Sequence, residues 1–542
     1  MENLERRRDS SRREREIMRR KPSLGLCLKR NRRVILGLSL CLGLGVLANA
    51  CIPYRPFTLP NEELAALQQS DPKEAQKYRR SVRPCTDLTE DANDPALTNQ
   101  CTFSIVEFDD QGELWKPAQL DDTLALIESK SHRPAEGTAG EARKALVVVF
   151  VHGWKNNASP DNEANRNLGS FKKVLLRLAQ EELNKERNSG NPSRDVVGVY
   201  LSWRGRASNN WLLSQLSFFS RKNAAERVAR VSFSHAIQRI ISSTKGTRSG
   251  LRGNPESIAV VVGHSFGGLI VENTLLRTLT VETDDFSEFG ADLAVLVNPA
   301  NEAILARQFV QALQGAPARP LNLGGQTVSE PLIVSVTSVS DSATGKFFPL
   351  GLTLKSVGKR FHKYEDGDPG IQRQKFYYTH TPGHSTPEGA LYSHAVNCPL
   401  EPDGCTEAPT TGQAFDAAMA RRIATMRQHS SQQTIFPAPA VKLGPCRRDW
   451  EATKEYRCID NLWFVGAVTG DLYAVNRDLS SPNQTGYWIM ELPSTIVASH
   501  SDIFQSELAS LLAAFINLPQ ARVVEDMNAA ESYLQELFPG DP

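Results

Sequence analysis

A mostly parallel β-sheet covered by helices on both faces is the fold class predicted by this 542-residue sequence. Three observations predict it. Largely apolar, β-branched runs recur at Ala145–Val151, Asp195–Trp203, Ile258–Val262, Ala291–Val297 and Pro331–Val339, as expected of strands buried on both faces. Amphipathic stretches at helical spacing separate several of them, and strands alternating with helices imply parallel pairing. At Gly263-His264-Ser265-Phe266-Gly267 one run turns directly into helical spacing, carried by Leu269, Ile270, Leu276 and Leu279.

Composition agrees with a globular chain: 40% hydrophobic and 23% charged residues, enough to bury a sizeable core. The formal charge of +1 hides an asymmetry, because residues 1–33 hold 13 Lys/Arg against 5 Asp/Glu, leaving 62 − 13 = 49 against 61 − 5 = 56 for the rest. That mildly acidic body excludes the electrostatic footprint of a nucleic-acid binder. The basic start leads into the uncharged run Val34–Ala50, which reads as an export signal over residues 1–50. Ala48-Asn49-Ala50 fits an ordinary cleavage site, while Leu47–Cys51 resembles a bacterial lipobox with Ala48 and Asn49 as departures. Cys51 is thus the lipidation candidate, and the expected location is the periplasm or the outer membrane, with an inner-membrane anchor as the third reading. Cys85, Cys101, Cys398, Cys405, Cys446 and Cys458 form three locally spaced pairs, which suits disulfides in an oxidising compartment.

Taken in order, residues 51–100 read as a linker or N-terminal extension, rich in Pro, Gln, Asp and Asn. A first part of the core spans 101–344. It opens with a hairpin, Thr102–Phe108 against Glu113–Trp115 across Asp109-Asp110-Gln111-Gly112, followed by a short helix over Asp121–Ser129. The strand Ala145–Val151 ends in His152-Gly153-Trp154. Phe171–Glu186 is an amphipathic helix whose stripe is Phe171, Val174, Leu175, Leu178 and Leu183. Trp211–Phe219 reads as core helix, with a lid as the alternative, and Arg221–Ile241 as one helix leading to the Ile258–Val262 strand. Residues 345–460 lose periodicity and read as an insertion pinned by local disulfides. Core rhythm returns over 461–542, with strands at Leu462–Val468 and Tyr487–Leu492 and a closing helix over Asp502–Ile516.

The chemistry starts at Ser265. A serine on a sharp strand-to-helix turn is thrust out of the sheet, and glycines two positions either way let strand and helix pass. A serine hydroxyl is a poor nucleophile until a histidine takes its proton, and that imidazole needs a carboxylate to fix its tautomer. Asp341 directly follows a buried strand, on the edge toward which the elbow points; Glu302 and Asp292 are alternates. His500 stands between the last strand and the last helix; His384 and His394 are alternates. The backbone N–H groups of Phe266 and Trp154 are the expected oxyanion donors. No metal or organic cofactor is called for, since the cysteines lack zinc-site spacing.

The elbow GHSFGG, the strand and turn FVHGW, and the late loop SHSD before a helix resemble the α/β-hydrolase superfamily, in its serine esterase and lipase branch. VFVHGWKNNAS and VGVYLSWRGR also resemble a group of hydrolase-like proteins. The resemblance covers roughly residues 102–345 and 461–517. It implies an α/β-hydrolase fold and a Ser265, Asp341, His500 triad, from which the chain departs in the long separation between acid and histidine. The expected activity is exported hydrolysis of a carboxylic ester, lipid or small, through an acyl-enzyme. A peptidase or thioesterase on the same triad, or a non-catalytic envelope lipoprotein of the same fold, is the alternative.

Overall fold

The computed structural model describes residues 55–87, 95–132, 143–189, 192–206, 208, 214, 217–246, 254–277, 290–314, 320–323, 326–329, 331–361, 374–384, 391, 393–399, 441–443, 446–449, 455–458, 462–466, 472–477, 483–492, 494, 496–501, 503, 508, 511–512, 515–516 and 522–524. Everything below concerns the unit formed by Tyr54–Arg206 and Ser217–Pro542. The expected export signal and Cys51 lie outside the described residues.

Eight strands build the central sheet: β1 (Val82–Pro84), β2 (Cys101–Glu107), β3 (Ala145–Val151), β4 (Asp195–Ser202), β5 (Ile258–His264), β6 (Leu293–Val297), β7 (Ile333–Ser338) and β8 (Tyr487–Leu492). Their spatial order is β1-β2-β4-β3-β5-β6-β7-β8. Only the β1–β2 pair among these is antiparallel. Beyond β8 the backbone of the sheet continues through His394–Pro399, which is parallel to β8, and then through the antiparallel strands Leu472–Arg477 and Leu462–Gly466.

Alternate residues of each central strand feed two cores. From β3, Val147, Val149 and Val151 enter one, while Leu146, Val148 and Phe150 enter the other. The first core is closed by helices α1 (Pro117–Lys130), α3 (Phe218–Val228), α4 (Val231–Lys245), α5 (Phe266–Arg277) and α6 (Ala303–Gln314). The amphipathic helix α2 (Asn167–Ser189) closes the second with Leu168, Phe171 and Leu175, together with Ile503, Leu508, Leu511 and Phe515. Each fully buried Leu, Val or Phe contributes ~1.5–3 kcal/mol relative to exposure, so covering both faces is what makes continuous apolar strands tolerable. This is an α/β fold with helices on both faces of the mostly parallel sheet that the apolar runs predict.

Several expectations are corrected locally. The hairpin after β2 reduces to a single bridge between Phe108 and Leu114, because β2 spends its edges on β1 and β4. The residue range Arg221–Ile241 holds two helices, broken where Arg230 turns extended. The break accommodates the turn at Gly112, where a Cβ would lie 2.7 Å from the carbonyl oxygen of Val228. Segment 51–100 contributes β1, and its N-terminal part is held by buried Glu107, which accepts from the backbone N–H groups of Phe57 and Thr58. Its longest element, the ten-residue helix Asn61–Ser70, buries only Leu64 and so carries no apolar stripe, and the others are too short to show periodicity. Of the three cysteine pairs, Cys85–Cys101 is a disulfide joining the end of β1 to the start of β2. The strands Cys446–Asp449 and Glu455–Cys458 pair antiparallel with Cys446 opposite Cys458. The side chains of these two and of Cys398 and Cys405 lie outside the described residues. So does most of Trp211–Leu216.

Candidate active site

β3, β5, β6, β7 and β8 are parallel, so the loops after them emerge at one edge of the sheet, where such folds place their sites. Ser265 follows β5 and precedes α5. Its φ of 55° is left-handed, a conformation that non-glycine residues adopt at a cost of ~1–3 kcal/mol. The surrounding glycines have no room for side chains: a Cβ on Gly263 would lie 2.7 Å from the carbonyl oxygen of Gly267, and one on Gly267 only 2.0 Å from that of Val151. The strand-to-helix turn is therefore steric in origin.

The structure brings Ser265, Asp341 and His500 together. His500 Nε2 lies 2.8 Å from Ser265 Oγ, and its Nδ1 lies 2.8 Å from Asp341 Oδ2. With Nδ1–H donating to the carboxylate, Nε2 is left as an acceptor for the serine proton. Asp341 is buried, yet its pKa is lowered. Burial on its own would raise it. The hydrogen bond and charge of His500, the Thr344 hydroxyl and the Thr344 amide outweigh that penalty. Backbone N–H groups of Ala343 and Thr344 donate to Oδ1, and the Thr344 hydroxyl donates to Oδ2.

The alternates are placed elsewhere or in other roles. Asp292 sits at the opposite end of the sheet, bonded to Lys245 and to the amide of Ala259. Glu302 pairs with buried Lys222 at 2.8 Å. His384 lies behind the acid, its Nε2 3.1 Å from the Thr344 hydroxyl. Since that hydroxyl donates to Asp341, it accepts from His384, which gives the chain His384–Thr344–Asp341–His500–Ser265. Only the backbone of His394 is described, next to β8.

Two buried histidines that motif reading passed over organise the site. His264 donates Nε2–H to the carbonyl oxygen of His500 at 2.8 Å and accepts from Asn167 at its Nδ1. Burial, and after it the neighbouring His500, lowers its pKa to about 3, so it stays neutral. Asn298, with a left-handed φ of 44°, also reaches the carbonyls of Ser499 and His500. His152 accepts from the Trp203 amide at Nε2 and donates Nδ1–H to the Gly153 carbonyl. Burial lowers its pKa to about 4. Because a trans peptide points its N–H opposite its C=O, that bond aims the Trp154 N–H away from His152. Gly153 itself packs on the elbow, where a Cβ would lie 2.7 Å from Ser265 Cβ. Phe266 opens α5, so its N–H belongs to the first turn, which lacks intrahelical acceptors. A signal for these positions was present in the sequence, a histidine next to a glycine at the end of each of two buried strands, but their partners are remote.

Two solved structures of phospholipase PlaB from Legionella pneumophila, one in complex with thio-NAD, are similar to this chain at 10% sequence identity. They cover 65% and 64% of this chain and 93% of that chain, with TM-scores of 0.22 and 0.23. No family model and no curated protein matches. The likeness is weak, and the reading of the site rests on the site's own geometry. Among the described residues, no group of three or more His, Cys, Asp or Glu is placed to hold a metal ion, and no helix is long and apolar enough to cross a membrane.

Proposed function

We propose that this chain is an exported serine hydrolase that cleaves carboxylic esters through an acyl-enzyme. The observation that carries the reading is the pair of 2.8 Å contacts from the two ring nitrogens of His500, one to Ser265 Oγ and one to Asp341. The positive φ of Ser265 supports it, because strain on a non-glycine residue persists where surrounding structure enforces it for a purpose.

In this mechanism Ser265 Oγ attacks the ester carbonyl carbon while its proton passes to His500 Nε2. The carbonyl electrons move onto the oxygen, which the backbone N–H groups of Phe266 and Trp154 receive. Collapse expels the alkoxide, protonated by His500, and leaves the acyl group on Ser265. Water, deprotonated by His500, then releases the acid and restores the serine. Asp341 stays ionised throughout, holding the imidazole and steadying its cation. Export, by the 1–50 signal with or without lipid at Cys51, is part of the same proposal and is supported by the Cys85–Cys101 disulfide.

The test is hydrolysis of short and long p-nitrophenyl esters by the protein beside Ser265→Ala and His500→Ala variants, with fluorophosphonate labelling of Ser265. Loss of turnover in both variants and labelling of the parent alone are expected. Ester turnover that survives Ser265→Ala would overturn the assignment.

A further inference from the structure

We propose that the exposed face of the helix following Asp341 is a docking surface for an anionic phospholipid bilayer. A π-helical turn, Ala343–Phe347, runs directly into α7 (Phe348–Lys355). Phe348, Pro349 and Leu352 point into the protein and are buried. The opposite stripe does not. Phe347, Leu350, Leu354 and, one turn on, Val357 are 59–79% exposed to water. Phe219, from α3, extends this surface: its ring tip stands over Gly351, where a Cβ would lie 3.0 Å away, and the residue is itself 39% exposed.

Single exposed apolar side chains are ordinary, but four on one helical stripe joined by an aromatic ring form a patch of the kind that marks an interaction site. Charge identifies the partner. From Ser342 to Phe361 the sequence carries Lys346, Lys355, Lys359 and Arg360 and no Asp or Glu, and all four cations are exposed. An apolar stripe flanked by cations alone complements a surface with an apolar interior and an anionic headgroup layer. Lysine and arginine stems lie along the apolar face while their heads reach the phosphates. The stripe is also a convex helix face, which fluid acyl chains can cover. The turn leading into α7 holds Thr344, which bonds Asp341, so docking would present the site's edge of the sheet to the lipid.

This surface goes beyond the proposed hydrolysis and does not depend on it, so its test uses the full chain carrying Ser265→Ala, which consumes no lipid. A photoreactive benzoylphenylalanine replaces Phe347, and in a control chain replaces exposed Glu256, which precedes β5 at the opposite end of the sheet. Each is irradiated with vesicles of phosphatidylcholine alone or with phosphatidylglycerol, and adducts are read by peptide mass. The expected result is a lipid adduct at position 347 in the anionic vesicles and not at position 256. The combined changes Lys346→Glu, Lys355→Glu and Lys359→Glu should reduce the yield roughly tenfold or more. No lipid adduct at 347, equal adducts at both positions, equal yield in neutral vesicles, or adducts to protein only would each overturn the proposal.

Discussion

The backbone carbonyl of His500 is held by the ring of His264, at 2.8 Å, so the residue that precedes the elbow serine also fixes the histidine facing it. Elbow and late loop are thereby one rigid assembly. His264→Ala is expected to lower kcat about tenfold or more with KM little changed, since it moves a proton acceptor without touching the substrate pocket. His264→Gln, which keeps a donor, should recover part of the loss. Steady-state kinetics on one ester check this, and an unchanged kcat in the alanine variant would refute it.

Ser265 should trade stability for position. At its φ of 55° glycine carries no steric penalty, so Ser265→Gly is expected to abolish hydrolysis while raising stability by ~1 kcal/mol. Denaturant titration of the two proteins measures the difference. A destabilised glycine variant would show that the strain is not there.

His384 reaches Asp341 only through the Thr344 hydroxyl and therefore acts as a positioning residue. His384→Ala is expected to reduce kcat by roughly fivefold to tenfold and leave KM unaltered, with His384→Gln restoring most of it. A rise in KM alone, or no rescue by glutamine, would assign His384 to packing.

Glu272 is buried within α5 and accepts from the Tyr487 hydroxyl at 2.7 Å. Burial pushes its pKa up from 4.5 to about 8, against the lowering effect of that hydrogen bond. Below about pH 4.5 the group is protonated in both folded and unfolded chains. Between there and pH 8 the unfolded chain ionises and the folded chain does not, so stability falls as pH rises, by about 5 kcal/mol across the interval. Glu272→Gln should remove that slope. Parallel pH profiles of unfolding for the two proteins would rule it out.

The Cys85–Cys101 bridge closes a 16-residue separation and ties the edge strand to the sheet. Replacing both cysteines by serine is expected to cost ~3 kcal/mol. Calorimetry of oxidised and variant protein tests it, and coincident transitions would exclude a stabilising role.

Much of this architecture was legible because its signals are local. Continuous apolar runs such as Ala145–Val151 mark doubly buried strands wherever they sit, and the glycines around Ser265 record a steric constraint within five residues. The order of strands was not legible, since parallel neighbours β4 and β3 are exchanged in space relative to the chain. Nor was the break at Arg230, which accommodates the distant Gly112 turn.

The sequence by itself therefore determined the fold class, the elbow and a short set of acids and histidines for it. Only the tertiary structure decided which of them lie beside Ser265. It placed Asp292 at the far end of the sheet, paired Glu302 with Lys222, put His384 behind Asp341, and brought His500 to a serine 235 positions away. The reason is physical: burial and backbone strain leave their mark on neighbouring residues, whereas a 2.8 Å contact between remote side chains depends on how the whole sheet is stacked.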